Sequence, residues 1–168
     1  SYNLDGVEEF WDGSTSLGDS LGDNYAGYLS ISIWFNPADT SDDCGMFTLR
    51  PDGATSGTYD PLSIYLWGND LTLRAQGQDD EITFGTSNNN TWNHLLGVFH
   101  PSGVKLYLNG QNTALSFSYQ SSGIDLDDAR VWIGNYYSGD QFAWNGLLQN
   151  CAVWDQQLTL SDASKIYN

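Results

Sequence analysis

Residues 91–111 read TWNHLLGVFHPSGVKLYLNGQ. Trp92, His94, Leu96 and Val98 fall at every second position, and successive side chains of an extended chain point to opposite sides, so these four share one face of a strand. VKLYLN repeats the period from Val104 to Asn109, and Pro101-Ser102-Gly103 between the two runs is turn chemistry. Asn109-Gly110 is the strongest local hairpin signal in the chain, because both residues tolerate the positive φ of a tight turn. On this reading His94 is a packed, hydrogen-bonded core histidine, and His100, just before Pro101, is solvated.

The same period extends outward on both sides. In YLSISIWF, Leu29, Ile31, Ile33 and Phe35 alternate with Ser30, Ser32 and Trp34, and Pro37 with the acidic run behind it ends the strand. GMFTLR, LSIYLW, LTLRAQ, EITFGT, ALSFSY, RVWIGNYY and GLLQNCAVW are further strand candidates, separated by turn signals such as Pro51-Asp52-Gly53 and Gly68-Asn69-Asp70. The single good helix is terminal: in LTLSDASKIYN, Thr159 or Ser161 can cap a first turn that Asp162 suits electrostatically. Many short strands with no linker and no fixed-period repeat predict one all-β domain over residues 1–168, a two-sheet antiparallel sandwich with one short C-terminal helix.

Composition agrees. Asp (18) far outnumbers Glu (3), and with Gly (18), Ser (18) and Asn (14) it makes turns abundant. The net charge of −16 carries only five cations, Arg50, Arg74, Lys105, Arg130 and Lys165, set singly along the chain. A nucleic-acid partner is excluded on that balance, since phosphate binding needs gathered Lys and Arg, and an anionic membrane surface is disfavoured for the same reason. The acid excess reads as a solvated surface that favours solubility. No segment reaches the apolar length of a membrane helix, and the opening SYNLDGVEEF lacks the basic and apolar regions of a signal peptide. Cys44 and Cys151 are too few for a disulfide scaffold or a zinc site, and are read as two separate thiols, with a bridge as the alternative.

With these elements in place, the chain resembles the laminin-G-like branch of the concanavalin A-type jelly rolls. The likeness is carried by Trp92, His94, Tyr107, Asn109 and Gly110, then Ile133-Gly134, Trp144-Asn145-Gly146, Val153-Trp154 and Leu158 to Ser161, all in the family's order; the opening SYNLDGVEEFW with Leu17-Gly18 is similar to its first hairpin. The resemblance implies a jelly-roll sandwich and a recognition role for glycans or proteins, with Ca²⁺ at the sandwich rim in many relatives. Small Asp-rich members of this kind also resemble marine phage virion proteins.

A polysaccharide-degrading enzyme is the least favoured reading, with inverting hydrolysis by two of the 18 Asp the form left open. Retaining glucanases of this fold carry Glu-x-Asp-x-x-Glu on one strand, whereas the only glutamates here are Glu8, Glu9 and Glu81. A phosphate-cradling loop, a nucleophile elbow and a His/Cys cluster are likewise missing from the sequence. A calcium site would have to be assembled from separate acidic loops, with Asp39, Asp42 and Asp43, or Asp127 and Asp128, as candidate ligands; plain solvated carboxylates are the alternative.

Glycan recognition needs rings for the apolar faces of pyranoses and amides or carboxylates for hydroxyls. The segment NYYSGDQFAWN, residues 135–145, supplies both through Tyr136, Tyr137, Phe142, Asp140 and Gln141, while Tyr59 and Trp67 are additional candidate rim aromatics, with packing in the core as the alternative for most of these rings. The expectation is a non-catalytic glycan-binding module outside a cell or on a virion surface. Its alternative is a decoration or attachment protein held to capsid or tail proteins by protein contacts.

Overall fold

The structure, a computed structural model, describes residues 2–5, 11–12, 28–41, 43–51, 62–75, 81–100, 103–113, 129–135 and 142–168. Twelve strands lie among them: β1 (Tyr2–Asp5), β2 (Trp11–Asp12), β3 (Leu29–Pro37), β4 (Cys44–Pro51), β5 (Leu62–Trp67), β6 (Asp70–Ala75), β7 (Ile82–Thr86), β8 (Asn93–His100), β9 (Gly103–Leu108), β10 (Gln111–Asn112), β11 (Ala129–Ile133) and β12 (Asn145–Trp154), followed by helix α1 (Leu160–Tyr167). They form two antiparallel sheets. Sheet A runs β1-β12-β3-β8-β9-β10 and sheet B runs β2-β11-β4-β5-β6-β7, the two-sheet antiparallel sandwich that the alternation predicts and the jelly roll that the resemblance implies.

Alternation becomes burial directly. Leu29, Ile31, Ile33 and Phe35 of β3 join Leu95 and Phe99 of β8 in a single core cluster with Leu62, Ile64 and Leu66 of β5 and Leu71 and Leu73 of β6. Each such side chain withdrawn from water contributes about 1.5–3 kcal/mol before conformational entropy is set against it. A register shift between Gly45 and Phe47 in β4 lets the consecutive residues Met46 and Phe47 both enter the core, an irregularity that strict period two would forbid. Trp144 is fully buried and meets Phe35 edge-on at 6.0 Å.

The outer face of sheet A is covered as well, which explains the apolar residues at its outward positions. Leu96, Val98 and Tyr107 pack with Ala163 of α1, flanked by Trp154 and Leu158. Ser30 Oγ donates to the Gln156 carbonyl at 2.6 Å and accepts the Leu158 N–H at 3.1 Å, tying the C-terminal segment across the sheet. Thr159 is the N-cap, with a reciprocal capping box to Asp162. The two thiols are not bridged to each other: Cys44 is buried, and burial pushes the Cys151 thiol up to about 12.

His94 bears out its reading, fully buried with Nε2 2.8 Å from Ser32 Oγ. Trp92 does not. The strand begins at Asn93, and Trp92 stands one residue outside it, 38% exposed. The strand candidate ALSFSY lies outside the described residues.

Candidate functional site

Strand direction gathers one set of connections at a single end of the sandwich. There β3 ends and β8 begins, with Phe35 opposite Asn93; β12 begins, with Gly146 opposite Pro37; β4 begins and β5 ends, with Cys44 opposite Leu66. The segments 38–41, 68–69, 87–92 and 109–110 therefore meet at this loop end.

Side chains lock the segments to one another. The Thr40 N–H donates to Asn89 Oδ1 at 2.8 Å and its hydroxyl donates to Asn69 Oδ1. The Asn69 carbonyl accepts the Ser87 N–H at 2.9 Å, and the Pro37 carbonyl accepts the Asn90 N–H at 2.7 Å. Asn93 Nδ2 donates to Ser87 Oγ at 3.1 Å, and Asn109 Nδ2 donates to Asn93 Oδ1 at 3.0 Å. Asn109 Oδ1 in turn accepts the His94 N–H at 2.9 Å. Asn90 and Asn109 hold φ of 56° and 52°, conformations that asparagine tolerates better than other residues with a side chain. The result is a polar floor built by contacts between segments far apart in sequence.

Two large exposed rings adjoin these residues in sequence. Trp67, the last residue of β5, is 53% exposed, and Trp92 is 38% exposed. Trp144, by contrast, is fully buried, and Trp34, Trp132 and Trp154 are half-buried. Trp67 lies on the outer face of sheet B, because Ile64 and Leu66 on the same strand point into the core. Exposed indoles beside amide and carboxylate groups can stack on an apolar ligand face and hydrogen-bond its edges.

The acidic candidates at this end serve the loops. Asp39 Oδ1 accepts the Ser41 N–H at 2.8 Å, and this backbone bond, with the Ser41 hydroxyl, holds the Asp39 carboxyl below its usual value. Asp43 Oδ1 accepts the Gly68 N–H at 3.1 Å, joining the β3–β4 and β5–β6 connections. Among the described residues no three His, Cys, Asp or Glu side chains are grouped to hold a metal ion. Asp42, Asp127 and Asp128 lie outside the described residues.

Of the expected ligand-binding residues, Phe142 is half-buried, whereas Tyr59, Tyr136, Tyr137, Asp140 and Gln141 lie outside the described residues. The feet of the 135–145 segment are described. Trp144 N–H donates to the Gly134 carbonyl at 2.7 Å, and the Asn145 carbonyl accepts the Ala38 N–H at 2.9 Å, so both feet stand at the loop end that carries Trp67 and Trp92. The strands flanking Tyr59, β4 and β5, meet at the opposite end through Leu49 and Leu62. Sequence reasoning missed Trp92 as a rim residue and missed the Asn69, Asn89 and Asn109 floor; the run Asn88-Asn89-Asn90 between two strands was the available signal.

Two facing antiparallel sheets with their connections gathered into a polar, tryptophan-flanked end define a jelly-roll sandwich. The chain belongs to the concanavalin A-like lectin/glucanases superfamily, whose laminin G-type family model matches residues 12–164. No curated protein matches it in sequence. Among solved structures it is similar to the native heptameric SAP-like pentraxin of Limulus polyphemus (TM-score 0.74, 18% identity, 99% of this chain and 80% of that one). It is also similar to a putative carbohydrate binding protein from Bacteroides ovatus (TM-score 0.69, 14% identity, 96% and 46%). A third is domain 4 of AbnA, a GH43 extracellular arabinanase from Geobacillus stearothermophilus, in complex with arabinotriose (TM-score 0.65, 18% identity, 94% and 70%). At these identities the likeness is one of fold.

Proposed function

We propose that this chain is a non-catalytic recognition module that binds a glycan outside a cell or on a particle surface, with the ligand seated at the loop end. The observation that carries the reading is the exposure of Trp67 and Trp92 around a floor of amide and hydroxyl groups. Water is released from an indole when a sugar ring stacks on it, whereas the rim hydrogen bonds largely replace bonds to water. The carbohydrate-binding fold neighbours from Bacteroides ovatus and Geobacillus stearothermophilus support the same reading by analogy. Tyr136, Tyr137, Asp140, Gln141 and Phe142 belong to a segment footed at this end and are proposed to extend the surface. The reading requires no calcium.

The test is retention of the isolated protein on immobilised polysaccharides, followed by titration with oligosaccharides of the retaining polymer. Retention that free oligosaccharide competes away supports the proposal. A protein that ignores every sugar but assembles on a viral shell would instead be the decoration or attachment protein of the alternative reading.

A further inference from the structure

The charge layout of the molecule restricts what the loop end can bind. All five cations of the chain are accounted for among the described residues, so no segment outside them carries a Lys or Arg. Arg50 and Arg130 face each other across β4 and β11, and Arg74 is opposite Ser63 in β6; each lies several residues back along its strand from the loop end. The Arg50 guanidinium sits 5.2 Å over the Trp132 ring and is fully buried. At about 3.3 Å per strand residue, their backbone positions stand ~10–20 Å from the loop end. Lys105 is also three residues back from the β9 terminus, on the outer face of sheet A opposite Val98. Lys165, on α1, is the one cation near this end, since the Oγ of its neighbour Ser164 donates to the Gly110 carbonyl at 3.3 Å; it is exposed and paired with Asp162 at 3.6 Å.

The loop end itself holds carboxylates: Asp39, Asp43 and the exposed Asp70. An acidic sugar would bring its carboxylate or sulfate toward like charge with only Lys165, already paired with Asp162, near this end, on a molecule already at −16. Like-charge juxtaposition of this kind is a specificity device. A neutral sugar meets no such barrier, since its hydroxyls donate to these carboxylates and to amide oxygens while its apolar face stacks on indole.

We infer that the ligand class is a neutral glycan, and that uronate-, sulfate- or sialate-bearing glycans are rejected at this end. This rests on the glycan reading above and deepens it. The experiment is affinity electrophoresis of the whole chain and of its Trp67→Ala variant in gels containing neutral polymers (a β-glucan, a xylan, a galactomannan, an arabinan), anionic ones (alginate, heparin, a carrageenan) and cationic chitosan. Each is run at low and at high salt.

The expected result is retardation by at least one neutral polymer, changed less than about twofold by salt because no ion pair forms, weakened ~10-fold by Trp67→Ala, and absent in every anionic polymer; chitosan, drawn by the net charge of −16, retards parent and variant alike and loses that effect at high salt. Retardation by an anionic polymer or chitosan that Trp67→Ala abolishes would overturn the neutral-ligand inference and leave the glycan reading standing. Retardation by no neutral or anionic polymer would overturn both. A melting curve shared by variant and parent keeps a folding defect from passing as lost binding.

Discussion

The Tyr167 ring lies flat against the Trp34 indole, with 5.5 Å between centroids and 8° between planes. Tyr167 closes α1, and Trp34 sits on the outer face of β3 in the middle of sheet A. The same tyrosine crowds Gly110, where any added Cβ would approach its ring to 3.2 Å. One stack thus fastens the helix to the sheet and backs the β9–β10 turn of the loop end. Tyr167→Ala should lower stability by about 1–2 kcal/mol, the aromatic pair plus part of the ring's burial, while Tyr167→Phe should lose little. Urea midpoints of the three proteins check this, and coincident midpoints for Ala and parent would show that the stack contributes nothing.

His94 should make the protein acid-sensitive. Its imidazole is fully buried among Ser32, Trp34 and Tyr167, and desolvation lowers its pKa to about 4. An unfolded histidine titrates near ~6.5, so as pH falls below that value the unfolded chain takes up a proton that the folded one refuses. Stability from this residue is complete above about 6.5, declines between about 6.5 and 4, and is level below, a loss of up to about 3 kcal/mol. Unfolding free energies of parent and His94→Gln measured across that range should converge as pH drops, because the glutamine has no proton to gain. A difference independent of pH would refute the assignment.

Gly146 should tolerate no side chain. Its φ is 142°, and a Cβ there would lie 2.3 Å from the Asn36 carbonyl oxygen and 2.8 Å from the Ala38 nitrogen, both backbone atoms. Strained backbone and a clash with main chain add, so Gly146→Ala should cost about 3 kcal/mol or more. Thermal melting of the variant checks it; a Tm within a degree or two of the parent would mean that the β3–β12 approach is looser than described.

Much of the scaffold was legible because it is local. Leu29 to Phe35 announce a core-facing strand by period alone, Asn109-Gly110 announces its turn, and Thr159 with Asp162 announces the helix start. The loop end was not legible in the same way, since it is assembled by bonds such as Thr40 to Asn69 and Thr40 to Asn89, which join positions with no shared periodicity. Trp92 misled because it keeps the parity of His94 and Leu96, yet the strand begins one residue later. Trp67 shares the outer face of β5 with Ser63 and Tyr65, both buried; only its place at the strand's last position leaves it in solvent, and composition cannot specify that.

The measurement that bears most directly on the central claim is glycan binding by the single variants Trp67→Ala and Trp92→Ala, each paired with its melting curve. If the loop end is the binding surface, each variant loses about 1–3 kcal/mol of affinity with a Tm close to the parent's, because an exposed ring contributes little to folding. Undiminished binding in both variants, with the parent binding the same glycan, would contradict the account and move the recognition surface elsewhere on the sandwich.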